Sequence, residues 1–125
     1  PTIVLDNINI LSRSSINNAL TIGDDVELTL RLKGTNKIES QSVNLAAVRG
    51  ITATSKLIVE DSGDNDGVIT FKSANGAGIG DMKQFTVNSG TVYAYGGNGG
   101  AGIGGGKDGS GINVLINGGN VYACR

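Results

Sequence analysis

Hydrophobic residues fall along this chain in short bursts. Val26-Glu27-Leu28-Thr29-Leu30-Arg31-Leu32 alternates apolar and polar positions, the period-two pattern of a strand with one buried face. Leu57-Ile58-Val59, Phe85-Thr86-Val87 and Val114-Leu115-Ile116 are shorter apolar runs that read as further strands. Between them lie clusters of Gly, Asn, Asp and Ser, residues that tolerate tight turns and positive φ. No long window keeps a 3.6-residue period free of Gly, so helices are not expected.

Two matches within the chain point to a repeat. Gly76-Ala77-Gly78-Ile79-Gly80 recurs as Gly100-Ala101-Gly102-Ile103-Gly104, and Asn88-Ser89-Gly90-Thr91-Val92-Tyr93-Ala94 aligns with Asn117-Gly118-Gly119-Asn120-Val121-Tyr122-Ala123. The pattern "branched aliphatic, any, small, any" extends the series backward through Ile10, Ile38 and Val68 to Val92 and Val121, at spacings of 28, 30, 24 and 29 residues. An Ala follows nine positions after the first four of these: Ala19, Ala47, Ala77 and Ala101. Coils of this length with about three short strands predict an all-β fold, a right-handed parallel β-helix (β-solenoid) of about five coils, with residues 1–125 as one domain. An antiparallel sandwich has no comparable need to reuse Gly-Ala-Gly-Ile-Gly.

Columns follow from the repeat. Ile10, Ile38, Val68, Val92 and Val121 are expected to point inward, with Ser12, Ser40, Thr70, Ala94 and Ala123 as a second inward column. Period two then turns Leu11, Glu39, Ile69, Tyr93 and Tyr122 outward, beside Arg13, Gln41, Phe71, Tyr95 and Cys124.

Composition narrows the picture further. Aromatics are 4% of 125 residues, Trp and His are absent, and Gly numbers 21, so small aliphatic and hydroxyl residues must fill much of the interior. The formal charge of −1 gives no electrostatic footprint for nucleic acid. The apolar runs are far shorter than the roughly 20 residues of a membrane-spanning helix. Cys124 is the single cysteine, so no intrachain disulfide is expected. Pro1-Thr2-Ile3-Val4-Leu5 lacks the pattern of a secretory leader. The series stops part way through a coil, so the chain is expected to be a segment of a longer repeat protein or to associate with another subunit through its open C-terminal coil.

The alternation of Gly-Ala-Gly-Ile-Gly with "apolar-x-apolar-x-Gly-Gly-x-Val-x-Ala" resembles a degenerate repeat of surface proteins from Gram-positive anaerobic bacteria, commonly described as carbohydrate-binding domain-containing proteins or adhesins. The resemblance spans roughly residues 26 to 124 and is best in Gly97–Gly106 and Ile112–Gly119. Ala46-Ala47-Val48-Arg49 departs from it. It implies a parallel β-helix at the cell surface or outside the cell, binding of plant or host polysaccharide, and in some members calcium. It brings no catalytic motif. Repeats of this kind also serve as stalks.

Candidate chemistry gathers at two places. Tyr93, Tyr95 and Tyr122, with Phe71, are expected on one outer face, where flat rings and phenol hydroxyls suit an extended glycan. A cross-strand aromatic pair that only stabilises the sheet, or a protein contact surface, are the competing expectations. Asp61-Ser62-Gly63-Asp64-Asn65-Asp66-Gly67 puts Asp61, Asp64 and Asp66 in one loop, either a calcium site or a solvated turn in which Asp caps its own backbone. The loop departs from the EF-hand pattern, since Lys72 stands where the twelfth-position Glu would be. Arg49, Lys56, Lys72 and Asp25 are scattered, and with no His an enzyme such as a polysaccharide lyase is not expected.

Overall fold

The computed structural model describes residues 1–13, 18–41, 46–50, 54–104 and 112–124, and these form strands and turns with no helix. In chain order the strands are β1 (Thr2–Asp6), β2 (Asn9–Ser12), β3 (Leu20–Ile22), β4 (Glu27–Lys33), β5 (Thr35–Ser40), β6 (Val48–Gly50) and β7 (Lys56–Asp61), followed by β8 (Val68–Ser73), β9 (Ile79–Gly80), β10 (Gln84–Val87), β11 (Thr91–Tyr95), β12 (Asn113–Ile116) and β13 (Asn120–Cys124). As far as β11 every third strand joins the same sheet. The first sheet runs β1-β4-β7-β10-β12, the second β2-β5-β8-β11-β13 and the third β3-β6-β9, which Ile103 extends by a single parallel bridge to Ile79. All the named pairings are parallel. The fold is therefore a parallel β-solenoid. It makes about four turns, slightly fewer than the repeat count predicts, because the last pair of strands has no third-sheet strand among the described residues.

Inward positions fill the core in columns. In the first sheet Leu28, Leu57 and Phe85 stack, and beside them Leu30, Val59 and Val87. In the second sheet Ile69 lies under Val92, and Ile38 under Phe71 and Ala94. All eleven are buried, at most 6% exposed. Phe71 meets Phe85 edge to face across the interior, with ring centroids 6.5 Å apart. The end rungs leave inward residues uncovered: Ile3 is 45% exposed, Val114 44% and Ile116 51%. No helix among the described residues is long and apolar enough to cross a membrane.

The column assignment is correct for Val92, Val121, Ala94 and Ala123, which pair as expected, and wrong by one residue in the third turn. There Val68 and Thr70 face outward, while Ile69 and Phe71 are fully buried. A one-residue slip moves every side chain of a strand to the other face. The slip is decided by what each choice buries: Ile and Phe remove more apolar area from water than Val and Thr, and leave no Thr hydroxyl to satisfy inside. The bulk of Phe71 also complements the small Ala94 above it. In the first two turns the parity is right but the position shifts by two, since Ile38 lies level with Phe71. The place level with Ile69 and Val92 is taken there by Asn36.

Asn36 is 1% exposed and is satisfied from three turns. Its Oδ1 accepts from Ile8 N at 2.8 Å, and its Nδ2 donates to the carbonyls of Lys33 and Val68, both at 3.3 Å. A buried amide with these partners incurs little desolvation penalty.

The recurrence of Gly-Ala-Gly-Ile-Gly has a steric cause. A Cβ on Gly78 would lie 2.7 Å from Gly102 O and 3.0 Å from Phe71 O, and one on Gly102 would lie 2.7 Å from Ala94 O. The third side of the coil presses against the backbone of the second sheet, and only Gly fits. The glycines at 105 and 106 lie outside the described residues. The nine-residue gap to Ala is not fixed in space. Ser40 to Val48 spans eight positions, whereas Ser73, level with Ser40, reaches Ile79, level with Val48, in six.

Candidate functional site

Outward residues of the second sheet make one continuous surface. Thr91, Tyr93 and Tyr95 of β11 stand level with Asn120, Tyr122 and Cys124 of β13 on one side and with Val68, Thr70 and Lys72 of β8 on the other. Tyr95 is 36% exposed and Tyr122 53%, and Tyr93 between them is half-buried. The expected tyrosine row therefore exists. Phe71 does not join it, because its ring lies in the core.

The rings are arranged differently from a flat platform. Tyr93 and Tyr122 stack with centroids 5.0 Å apart and planes 14° from parallel, and Tyr93 and Tyr95 lie 6.3 Å apart at 11°. Strand spacing of about 4.8 Å sets the first of these distances. Tyr93 thus stacks with both neighbours, and Tyr122 on the last rung is the most exposed ring of the three.

Beside this row the corner between the first and second sheets is built from glycine. Gly34, Gly67, Gly90 and Gly119 each precede the first residue of a strand in the second sheet, and those first residues are mutually level. Gly34, Gly90 and Gly119 have positive φ, at 69°, 89° and 78°, which L-residues with a Cβ adopt only with strain. Beside the last three members lies an open cleft of about 310 Å³. Gly67, Gly90 and Gly119 line it, together with Asp61, Asn65, Ser89, Thr91 and Asn120. This cleft is not among the sites expected from the sequence, although the four glycines ahead of Thr35, Val68, Thr91 and Asn120 are a readable signal.

The acidic loop contributes Asp61, Asn65 and Gly67 to this lining. Asp61 Oδ2 accepts the N–H groups of Gly63 at 2.8 Å and Asn65 at 2.9 Å, and Oδ1 accepts that of Gly67 at 2.8 Å. The N–H of Asn65 first, then those of Gly63 and Gly67, hold its pKa below the ordinary carboxylate value, against a smaller opposing effect of desolvation. Asn65 is held at φ 60° within this turn. Asp66 Oδ1 accepts from Gly34 N at 3.3 Å, and Asp64 is exposed. Two of the three expected calcium ligands, Asp61 and Asp66, thus accept backbone N–H groups. Among the described residues no three His, Cys, Asp or Glu side chains gather closely enough to hold a metal ion.

Ion pairs lie away from the cleft. Arg31 meets Glu60 at 2.9 Å on the outer face of the first sheet, Lys37 meets Glu39 at 3.1 Å on the second, and Arg49 approaches Asp81 at 3.7 Å at the third. No family model matches the chain, and no curated protein or solved structure is detectably similar to it.

Proposed function

We propose that the chain is an extracellular carbohydrate-binding or adhesive β-solenoid module of a surface protein, taking extended polysaccharide on the outer face of its last turns. The observation that carries this is a juxtaposition: three Tyr share one outward face, and a polar cleft runs beside them. Tyr rings and phenol hydroxyls meet sugar C–H and O–H groups, and the strands hold them in place before the ligand arrives. Binding alone is assigned, with no catalytic step. Replacing Tyr93 and Tyr122 by Ala is expected to abolish retention in gels containing the polysaccharide that retards the parent, with unchanged far-ultraviolet circular dichroism.

A second reading has its own support. The mutual stacking of Tyr93 and Tyr122 is what a rung-to-rung clamp in a stalk requires. On that reading the double variant melts earlier, and the parent is retarded by no polysaccharide.

A further inference from the structure

We infer that the glycine-lined cleft is a subsite for an uncharged sugar ring, and that the tyrosine row continues it along the strands. This rests on the glycan-binding reading above and goes beyond it by naming the place and the chemical class.

Charge selects the class. Asp61 is the one ionisable side chain in the cleft lining, and its carboxylate already accepts three loop N–H groups. An anionic ligand such as a phosphate or a uronate meets no Lys or Arg there. A cationic one meets a carboxylate whose charge is already stabilised by hydrogen bonds, which weakens its claim on a counter-ion.

The remaining groups fit hydroxyls. No described residue hydrogen-bonds the side chains of Asn65, Thr91 or Asn120. Two amides and a hydroxyl offer donors and acceptors together, and a sugar hydroxyl is likewise both. The three glycines put main chain in the lining of the cleft. A volume of about 310 Å³ lies at the lower end of clefts that hold small ligands.

Direction follows from register. Thr91 precedes Tyr93, and Asn120 precedes Tyr122, by two residues on the same face, a displacement of about 6.6 Å along the strand. Cleft and tyrosine row therefore run side by side across the last turns. A ring in the cleft meets Thr91, Asn120 and the Asp61–Asn65 turn, with the tyrosines two residues further along each strand.

The test is backbone-amide NMR on the intact chain titrated separately with cellohexaose, mannohexaose, xylohexaose, hexagalacturonate and hexaglucosamine. The expected result is that at least one uncharged hexasaccharide shifts the Gly90, Gly119 and Asn120 amides. Thr91→Val with Asn120→Leu then weakens that binding about tenfold, as loss of one or two hydrogen bonds would, with melting unchanged. Shifts confined to Tyr93, Tyr95 and Tyr122 overturn the subsite and leave glycan binding standing. Cleft shifts given only by the charged hexasaccharides overturn the assigned class. Silence with all five sugars overturns the subsite and the parent reading together. The titration of the parent chain decides the matter even where the double variant fails to fold.

Discussion

The same glycine corner is closed in the second turn and open in the fourth. At Gly34 the side chain of Asn7 lies where a Cβ would project, and its Oδ1 accepts from Thr35 N at 3.0 Å. Asp66 closes the other side through Gly34 N. At Gly90 no side chain is so close, and the corner is the middle of the cleft. Both glycines have positive φ, so the turn geometry explains the residue in each place. It does not explain the cleft, which depends on the side chains nearby. A corner that the fold could plug and does plug at one end is left accessible beside the tyrosines.

The largest expected effect comes from the rung that supports the open corner. Val92 is fully buried, so Val92→Asp puts a charge among aliphatics at a cost of several kcal/mol, comparable with the whole stability of an ordinary domain. Thr91→Asp, one residue away and outward, is expected to stay folded. Circular dichroism melts of the two variants test this, and a cooperative, near-parental melt of Val92→Asp would remove the inward assignment. Phe71→Ala comes next, at about 3–5 kcal/mol for a large buried ring, read by urea denaturation. An outward Phe71 would lose well under 1 kcal/mol.

Smaller effects discriminate between the two corners. Asn7→Ala removes the acceptor for Thr35 N and opens the plugged corner, costing about 1 kcal/mol, whereas Asn120→Ala at the open corner is expected to leave stability unchanged. Acid sharpens the comparison from the loop side. The folded-state pKa of Asp61 is lowered, so its contribution is complete above the ordinary carboxylate range and is lost as pH falls through the depressed folded value. Melting temperature is expected to drop on acidification below about pH 4, and Asp61→Asn to remove part of that dependence. At neutral pH, melts in EDTA and in millimolar calcium are expected to superpose, because the Asp61 oxygens are engaged by the loop. A rise with calcium would show that Asp64 and Asp66 swing in to join Asp61.

Much of the fold was legible because the repeat is nearly literal in its last two turns: Val92-Tyr93-Ala94 and Val121-Tyr122-Ala123 differ in no residue, and parity did the rest. The third turn was misread because Val68-Ile69-Thr70-Phe71 offers an aliphatic first residue to either face. Matching Gly67 with Gly90 sets Ile69 level with Val92 and would have corrected it. Asn36 was illegible in a different way. Nothing local marks an amide as buried when its partners, Ile8 and Val68, belong to the turns on either side. The tyrosine row followed from parity, but the direction of its ring planes depends on rotamers that no pattern of residues encodes.

Asn36 also has a mechanical meaning. Most turns of a solenoid touch only the turn before and the turn after, so a pull on one end can peel them away singly. The Asn36 side chain acts as a rivet: one amide grips the residue ahead of β2 by Ile8 N and the start of β8 by Val68 O, so the first three turns share a fastener that crosses both seams. Under tension those turns should yield in one step, and the glycine-rich turns beyond them, which carry the cleft, should give way at lower force.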